Sequence, residues 1–122
     1  MKQRVKTVSY LARAEFEIKN GIYDLVALPS GAEVVKCDLE VVGEVTTAKV
    51  FVGFKDEKEV NFFLNLKDTN LKTNKYNTSA KCYTVLDTKV VSAKIVDALA
   101  EENAKGILRV LYFLPSETEV EY

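Results

Sequence analysis

Six charged residues at the two ends of the chain carry its most legible chemistry: Lys2, Arg4 and Lys6 at one end, Glu117, Glu119 and Glu121 at the other. Each set alternates with other residues, so in an extended chain each lines one face. Val5, Val120 and Tyr122 fall on the opposite sides. Complementary stripes of this kind can pair as neighbouring strands, with opposite charges across from each other. Pairing within one chain would seal an edge. Pairing between chains would be an arm exchange that ties subunits together, and contact with a neighbouring subunit is the expectation.

Catalytic chemistry has little to stand on. The chain has no histidine, which removes the commonest general base and the commonest neutral metal ligand. No Ser-His-Asp set, phosphate-binding loop or dinucleotide fingerprint is present. The acidic pairs Glu101-Glu102 and Asp56-Glu57 read as solvated surface. No catalytic residue, cofactor site or metal site is expected. Cys37 and Cys82 match no metal spacing and read as buried, reduced thiols, with a disulfide between them as the alternative. Tyr76 falls in the most polar stretch, 67–78, and is the aromatic expected to be exposed and to anchor a partner.

The net charge of −1 argues against a general nucleic-acid binder. No apolar run approaches the length of a membrane span, and charged Arg13, Glu15 and Glu17 interrupt the segment that would form a signal core. A protein made in a cytoplasm, with no membrane or nucleic-acid partner, is expected. A length of 122 residues suits one domain with a core of its own.

The elements that must position these residues are strands. Ala12, Ala14, Phe16 and Ile18 alternate with charged residues up to Asn20-Gly21, a hairpin signal. Ile22 to Ala27 returns. Pro29-Ser30-Gly31 reads as a tight turn with Pro29 at its second position and Gly31 at positive φ. Glu33 to Val42 is a long strand with Val35, Cys37, Leu39 and Val41 on its buried face, followed by a turn at Gly43-Glu44. Further strands are expected over 46–54, 60–66, 81–86, 89–96 and 107–114, with Val50, Val52, Phe62, Leu64, Leu108 and Val110 in the core. Segment 67–78 reads as a surface loop. Residues 97–105 read as a short helical turn capped by Asp97 and ended by Gly106, with a longer helix from Ser92 as the competitor. Strands at such spacing imply an all-β antiparallel sandwich, jelly-roll-like, over 1–122, with an N-terminal arm (about 1–9) and a C-terminal tail (about 115–122).

In its order of motifs the chain resembles the head cement or decoration proteins of tailed phages. The resemblance rests on Leu28-Pro29-Ser30-Gly31-Ala32, the alternating strand 33–42, Val50-Phe51-Val52-Gly53, the apolar run and polar stretch of 61–78, and the strand from Gly106 to Tyr112. Charged residues at 55–59 depart from the small, glycine-rich loop of relatives. The resemblance implies a structural protein on the capsid surface of a virion. Its partner would be the major capsid protein, and it would be a homo-oligomer, with a trimer favoured. The partner-binding residues expected are Lys2, Arg4, Lys6, Tyr76, Glu117, Glu119, Glu121 and Tyr122. The alternative is a ligand- or glycan-binding module of a virion fibre.

Overall fold

Alternating apolar residues build two facing sheets. The structure, a computed structural model, describes residues 1–55, 58 and 60–121. Its strands are β1 (Lys2–Val5), β2 (Ser9–Glu17), β3 (Gly21–Leu28), β4 (Glu33–Glu44), β5 (Lys49–Phe54), β6 (Leu64–Leu66), β7 (Tyr76–Ser79), β8 (Tyr83–Thr84), β9 (Lys89–Val96), β10 (Asn103–Phe113) and β11 (Thr118–Glu121), with one short helix, α1 (Asp68–Thr73). The larger sheet runs β2-β10-β4-β7, with β8 also on β4, and the smaller runs β3-β9-β5-β6. From β2 to β5 successive strands alternate between the sheets, β6 pairs back on β5, β7 and β8 lie on β4, and every pairing is antiparallel. This is a jelly-roll order, as the strand pattern predicts.

One apolar core fills the space between the sheets. Leu39, Val50, Val52, Leu108 and Val110 are fully buried, as are Ala48 and Ile18. Two core positions shift from expectation. Val34, rather than Val35, is buried, because the β4–β10 register slips at Leu111/Tyr112 and two residues of β4 oppose one of β10. Such a bulge moves every side chain beyond it to the other face. Phe63 is buried where Phe62 is half-buried, because Phe62 lies ahead of the short strand β6 and shares an outer aromatic cluster with Tyr83.

The turn after β3 also differs from the sequence reading. Ala32 N–H donates to the Pro29 carbonyl at 3.1 Å, so Pro29 opens the turn and Ser30-Gly31 form its centre. Gly31 has φ +86°, and a Cβ there would lie 2.7 Å from Pro115 Cβ. The glycine serves both the left-handed backbone and the close approach of the chain that leaves β10.

Three further segments correct the sequence reading. Segment 67–78 is no loop: α1 and β7 occupy it, and fully buried Leu71 fastens α1 to the core. The expected Gly43-Glu44 turn lies inside β4, and the chain turns instead at 45–48. The helical turn expected near 97–105 is absent. Residues 97–102 form an irregular connection and β10 begins at Asn103. At about two turns the helix was marginal alone. Cross-chain bonds claim its residues instead: Ala98 N–H donates to Asn20 Oδ1 at 2.8 Å, and pairing with Glu44 and Gly43 takes Asn103 and Ala104 into the sheet.

Candidate functional site

The two charge stripes meet. β1 and β11 pair antiparallel, with Lys2 opposite Glu121, Gln3 opposite Val120, Arg4 opposite Glu119 and Val5 opposite Thr118. The pairing is within one chain, where contact with a neighbouring subunit was the expectation. The ribbon continues the β2–β10 ladder, whose outermost bond runs from Leu114 N–H to the Val8 carbonyl at 2.9 Å. Beyond that bond, Lys6-Thr7 face Pro115-Ser116-Glu117. The extra residue shifts the register by one where the ribbon leaves the β2–β10 ladder. Neither ribbon strand packs broadly against any other element.

Its ion pairs run along the charged face. Lys6 Nζ lies 2.7 Å from Glu117 Oε1, Arg4 Nη1 3.7 Å from Glu117 Oε2, Lys2 Nζ 3.7 Å from Glu119 Oε1, and the N-terminal amine 3.4 Å from Glu121 Oε1. The hydrogen bond from Lys6 and the Lys6 charge hold the Glu117 carboxyl below the usual carboxylate range, with Arg4 adding to the effect. Val5 and Val120, half-buried, occupy the opposite face. Tyr122 lies outside the described residues, as do Asp56, Glu57 and Glu59 of the charged segment 55–59.

Tyr76 is not brought to the ribbon. It stands on β7, opposite Glu40, and is 66% exposed. That register puts it on the outer face of the larger sheet, away from the core face of Leu39 and Asn77. On the same face Arg109 Nη1 donates to Glu40 Oε1 at 2.9 Å and lies 4.0 Å from Asp38 Oδ2, while the Thr78 hydroxyl donates to Asp38 Oδ1 at 2.6 Å. Leu11, Leu111, Lys36, Asp38 and Arg109 line an open depression of about 310 Å3 there.

Glu102 is the residue that sequence reasoning missed. Instead of lying in solvent, its side chain is buried and its Oε1 accepts from the N–H groups of Thr46 and Thr47 at 3.0 and 3.1 Å. It clasps the 45–48 turn to the start of β10. Nothing in an acidic pair signals such a role, since the partners lie 56 and 55 positions away. The cysteines split: Cys37 is buried and Cys82 exposed, and both are free thiols. Cys82 escapes burial because β8 is only Tyr83–Thr84 and Cys82 sits before it. Burial, with a smaller push from the Asp38 charge, raises the Cys37 thiol to about 12. Among the described residues, no three His, Cys, Asp or Glu side chains gather to hold a metal ion.

Comparison with known proteins gives this architecture a setting. No protein-family profile matches the chain, and no curated protein matches it either. Solved structures do. A chain of the acidic stable capsid of Helicobacter pylori bacteriophage KHP30 is 55% identical, with all of both chains covered and a TM-score of 0.91. A chain of the cyanophage Pam1 capsid asymmetric unit superposes with a TM-score of 0.70 at 17% identity, covering 88% of this chain and 85% of that one. One from the capsid of Ralstonia phage GP4 gives 0.66 at 17% identity, covering 93% and 88%. The last two share the fold; the first shares sequence along its whole length. The chain therefore belongs to a family of small β-sandwich structural proteins of bacteriophage capsids, the family that includes the KHP30 chain.

Proposed function

We propose that this capsid protein is a cement subunit: it binds the outside of the phage head and stabilises contacts between coat subunits. The observation that carries this reading is the β1–β11 ribbon, a two-stranded arm that leaves the sandwich and, among the described residues, packs broadly on no other element. A two-stranded ribbon is marginal alone in water. It gains a second packing surface when its Val5/Val120 face or its open edges rest on a neighbouring protein. Lys2, Arg4, Lys6, Glu117, Glu119 and Glu121 hold the arm in shape. Tyr122 follows the stripe, and Tyr76 offers a second contact on the outer face of the larger sheet. The partner is the major capsid protein, and the subunit works as a small homo-oligomer, a trimer, as the resemblance to cement proteins implies. Binding favours the assembled shell over free coat protein by linkage, and many copies act together.

The test is co-sedimentation of purified protein with assembled shells lacking it, followed by thermal disruption of those shells. Added protein should bind the shells and raise their disruption temperature. Deleting Ser116–Tyr122 should abolish both effects, and Tyr76→Ala should weaken binding without changing the melting temperature of the free protein. Wild-type binding by the deletion variant would refute the role of the ribbon. Failure of the intact protein to bind any shell, with binding to a soluble glycan instead, would refute the cement reading.

A further inference from the structure

We infer that the free edge of β2 is a self-association site, where two copies of this chain pair β2 with β2 about a two-fold axis at Ala14. Among the described residues, β2, β3, β6, β7 and β8 lie at the sheet edges. β8 has two residues, β6 three and β7 four, and β3 is broken by a register slip between Asp24 and Val26. Short or bulged strands are poor templates for pairing. β2 is different. Its nine residues pair with β10 in unbroken register from Ser9–Phe113 to Glu17–Lys105, and it contains no proline. Among the described residues no strand lies on its other side.

The direction of its free backbone groups follows from the ladder. The bonds from Leu114 N–H to the Val8 carbonyl and from Ile18 N–H to the Ala104 carbonyl lie at the two ends of the β2–β10 alignment. Antiparallel ladders alternate bonded and non-bonded pairs. Even-numbered residues of β2 therefore bond to β10. Ser9, Leu11, Arg13, Glu15 and Glu17 turn their N–H and C=O groups to the open side. A second strand must bond to these odd-numbered residues.

Charge then selects the register. Centring a two-fold pair on Arg13 sets Arg13 against its own copy, and centring it on Glu15 sets Glu15 against its own copy. Centring it on Ala14 sets Arg13 opposite Glu15 of the second copy, twice, because a two-fold contact repeats itself. Leu11 then faces Glu17, and the small Ala14 side chains meet at the axis. Arg13 and Glu15 are about half exposed and already 2.8 Å apart on one strand, so both are placed to bridge outward. Leu11 and Tyr10, 62% and 52% exposed, widen the surface covered. The contact would join the larger sheets of two copies edge to edge. It is distinct from a three-fold cluster, and the two together can tile a closed surface.

The experiment uses the purified full chain in solution, so its result does not depend on shell binding. In a Cys82→Ser background, Ala14→Cys places two thiols at a non-hydrogen-bonded pair with Cα atoms about 4.5 Å apart, within disulfide reach. Mild oxidation should give a covalent dimer on a non-reducing denaturing gel. Ala12→Cys, which faces Phe16 of the second copy, should not. Arg13→Glu alone and Glu15→Arg alone should each weaken self-association about tenfold, since both symmetric pairs turn repulsive. The double exchange should restore it. Absence of the Ala14→Cys dimer, equal cross-linking at Ala12→Cys, or failure of the double exchange to restore association would each overturn the proposal. So would slowed amide exchange at Leu11, Arg13 and Glu15 that develops only when coat shells are added, which would assign the edge to the coat protein.

Discussion

Gly106 is the position where a single methyl group should be felt most sharply. It lies on the core face of β10, directly across from Phe16 of β2. A Cβ at Gly106 would clash with Phe16 Cζ and stand 2.7 Å from Cε1. Carbon atoms in contact sit at about 3.5–4.0 Å, so the ring must retreat by roughly an ångström. It has little room: Phe16 is 7% exposed and stacks on Tyr23 at 5.8 Å, and Tyr23 is tethered by its hydroxyl to the Lys19 carbonyl at 2.8 Å. Overpacking of this kind costs about 1–3 kcal/mol. For a chain of this size that lowers Tm by roughly 3–6 °C per kcal/mol. Urea unfolding of Gly106→Ala should show a lower midpoint with an unchanged slope. Phe16→Leu frees the space, so Gly106→Ala should cost about 1 kcal/mol or more less in that background than in the wild type. A Gly106→Ala protein within about 0.5 kcal/mol of wild type, or strict additivity with Phe16→Leu, would refute the reasoning.

The ribbon should loosen in acid. The Glu117 carboxyl is held below its ordinary value of 4.5, so its contribution is full above that value and is lost as pH falls through the lowered one. Relative to the unfolded-chain rate at each pH, the protection of the Lys2–Val5 amides should fall as the pH drops below 4.5, and in 1 M salt near neutrality, while β10 stays protected. Native protein should show one reactive thiol, Cys82, and two after denaturation, because Cys37 is buried and its thiol is raised to about 12. Glu102→Ala should destabilise by about 1–3 kcal/mol in urea unfolding, since the Thr46 and Thr47 N–H groups lose their acceptor.

Period-two alternation made the sandwich legible from sequence, and the charge stripes made the ribbon legible. Both are local patterns that a strand turns directly into faces. The bulge beside Val35 was not legible, because it arises from the mismatch between β4 and β10 rather than from either strand. Segment 67–78 was misread for a related reason. Its lysines and asparagines look solvated, yet the single Leu71 fastens α1 to the core, and the open side of β4 recruits 76–79 as a strand. The helix expected at 97–105 lost to sheet pairing, which a marginal propensity cannot resist. Of the residues named for partner contact, the six charges lie together on the ribbon, paired within one chain rather than with a neighbouring subunit, while Tyr76 is exposed and separate from them. Glu102 was hidden because its partners are brought near only by the fold.

The position of β10 has a consequence for how the protein is made. It is the tenth of eleven strands among the described residues, yet it lies between β2 and β4 in the larger sheet. Until Asn103–Phe113 have been synthesised, β2 and β4 have no strand between them, and half of the sandwich cannot close. The smaller sheet can assemble earlier, since β3, β9, β5 and β6 are complete at Val96. Its apolar face then waits, uncovered, for the last quarter of the chain. Folding of this kind is dominated by distant contacts and is slow and exposed to aggregation. A ribosome that stalls before β10 releases a product in which β2 cannot join the β4–β7–β8 part of its sheet, and one that stalls just after residue 113 releases a sandwich lacking only its arm. Quality control thus has a sharp boundary at the end of β10: products on one side invite degradation, and products on the other persist as folded competitors of the full-length chain.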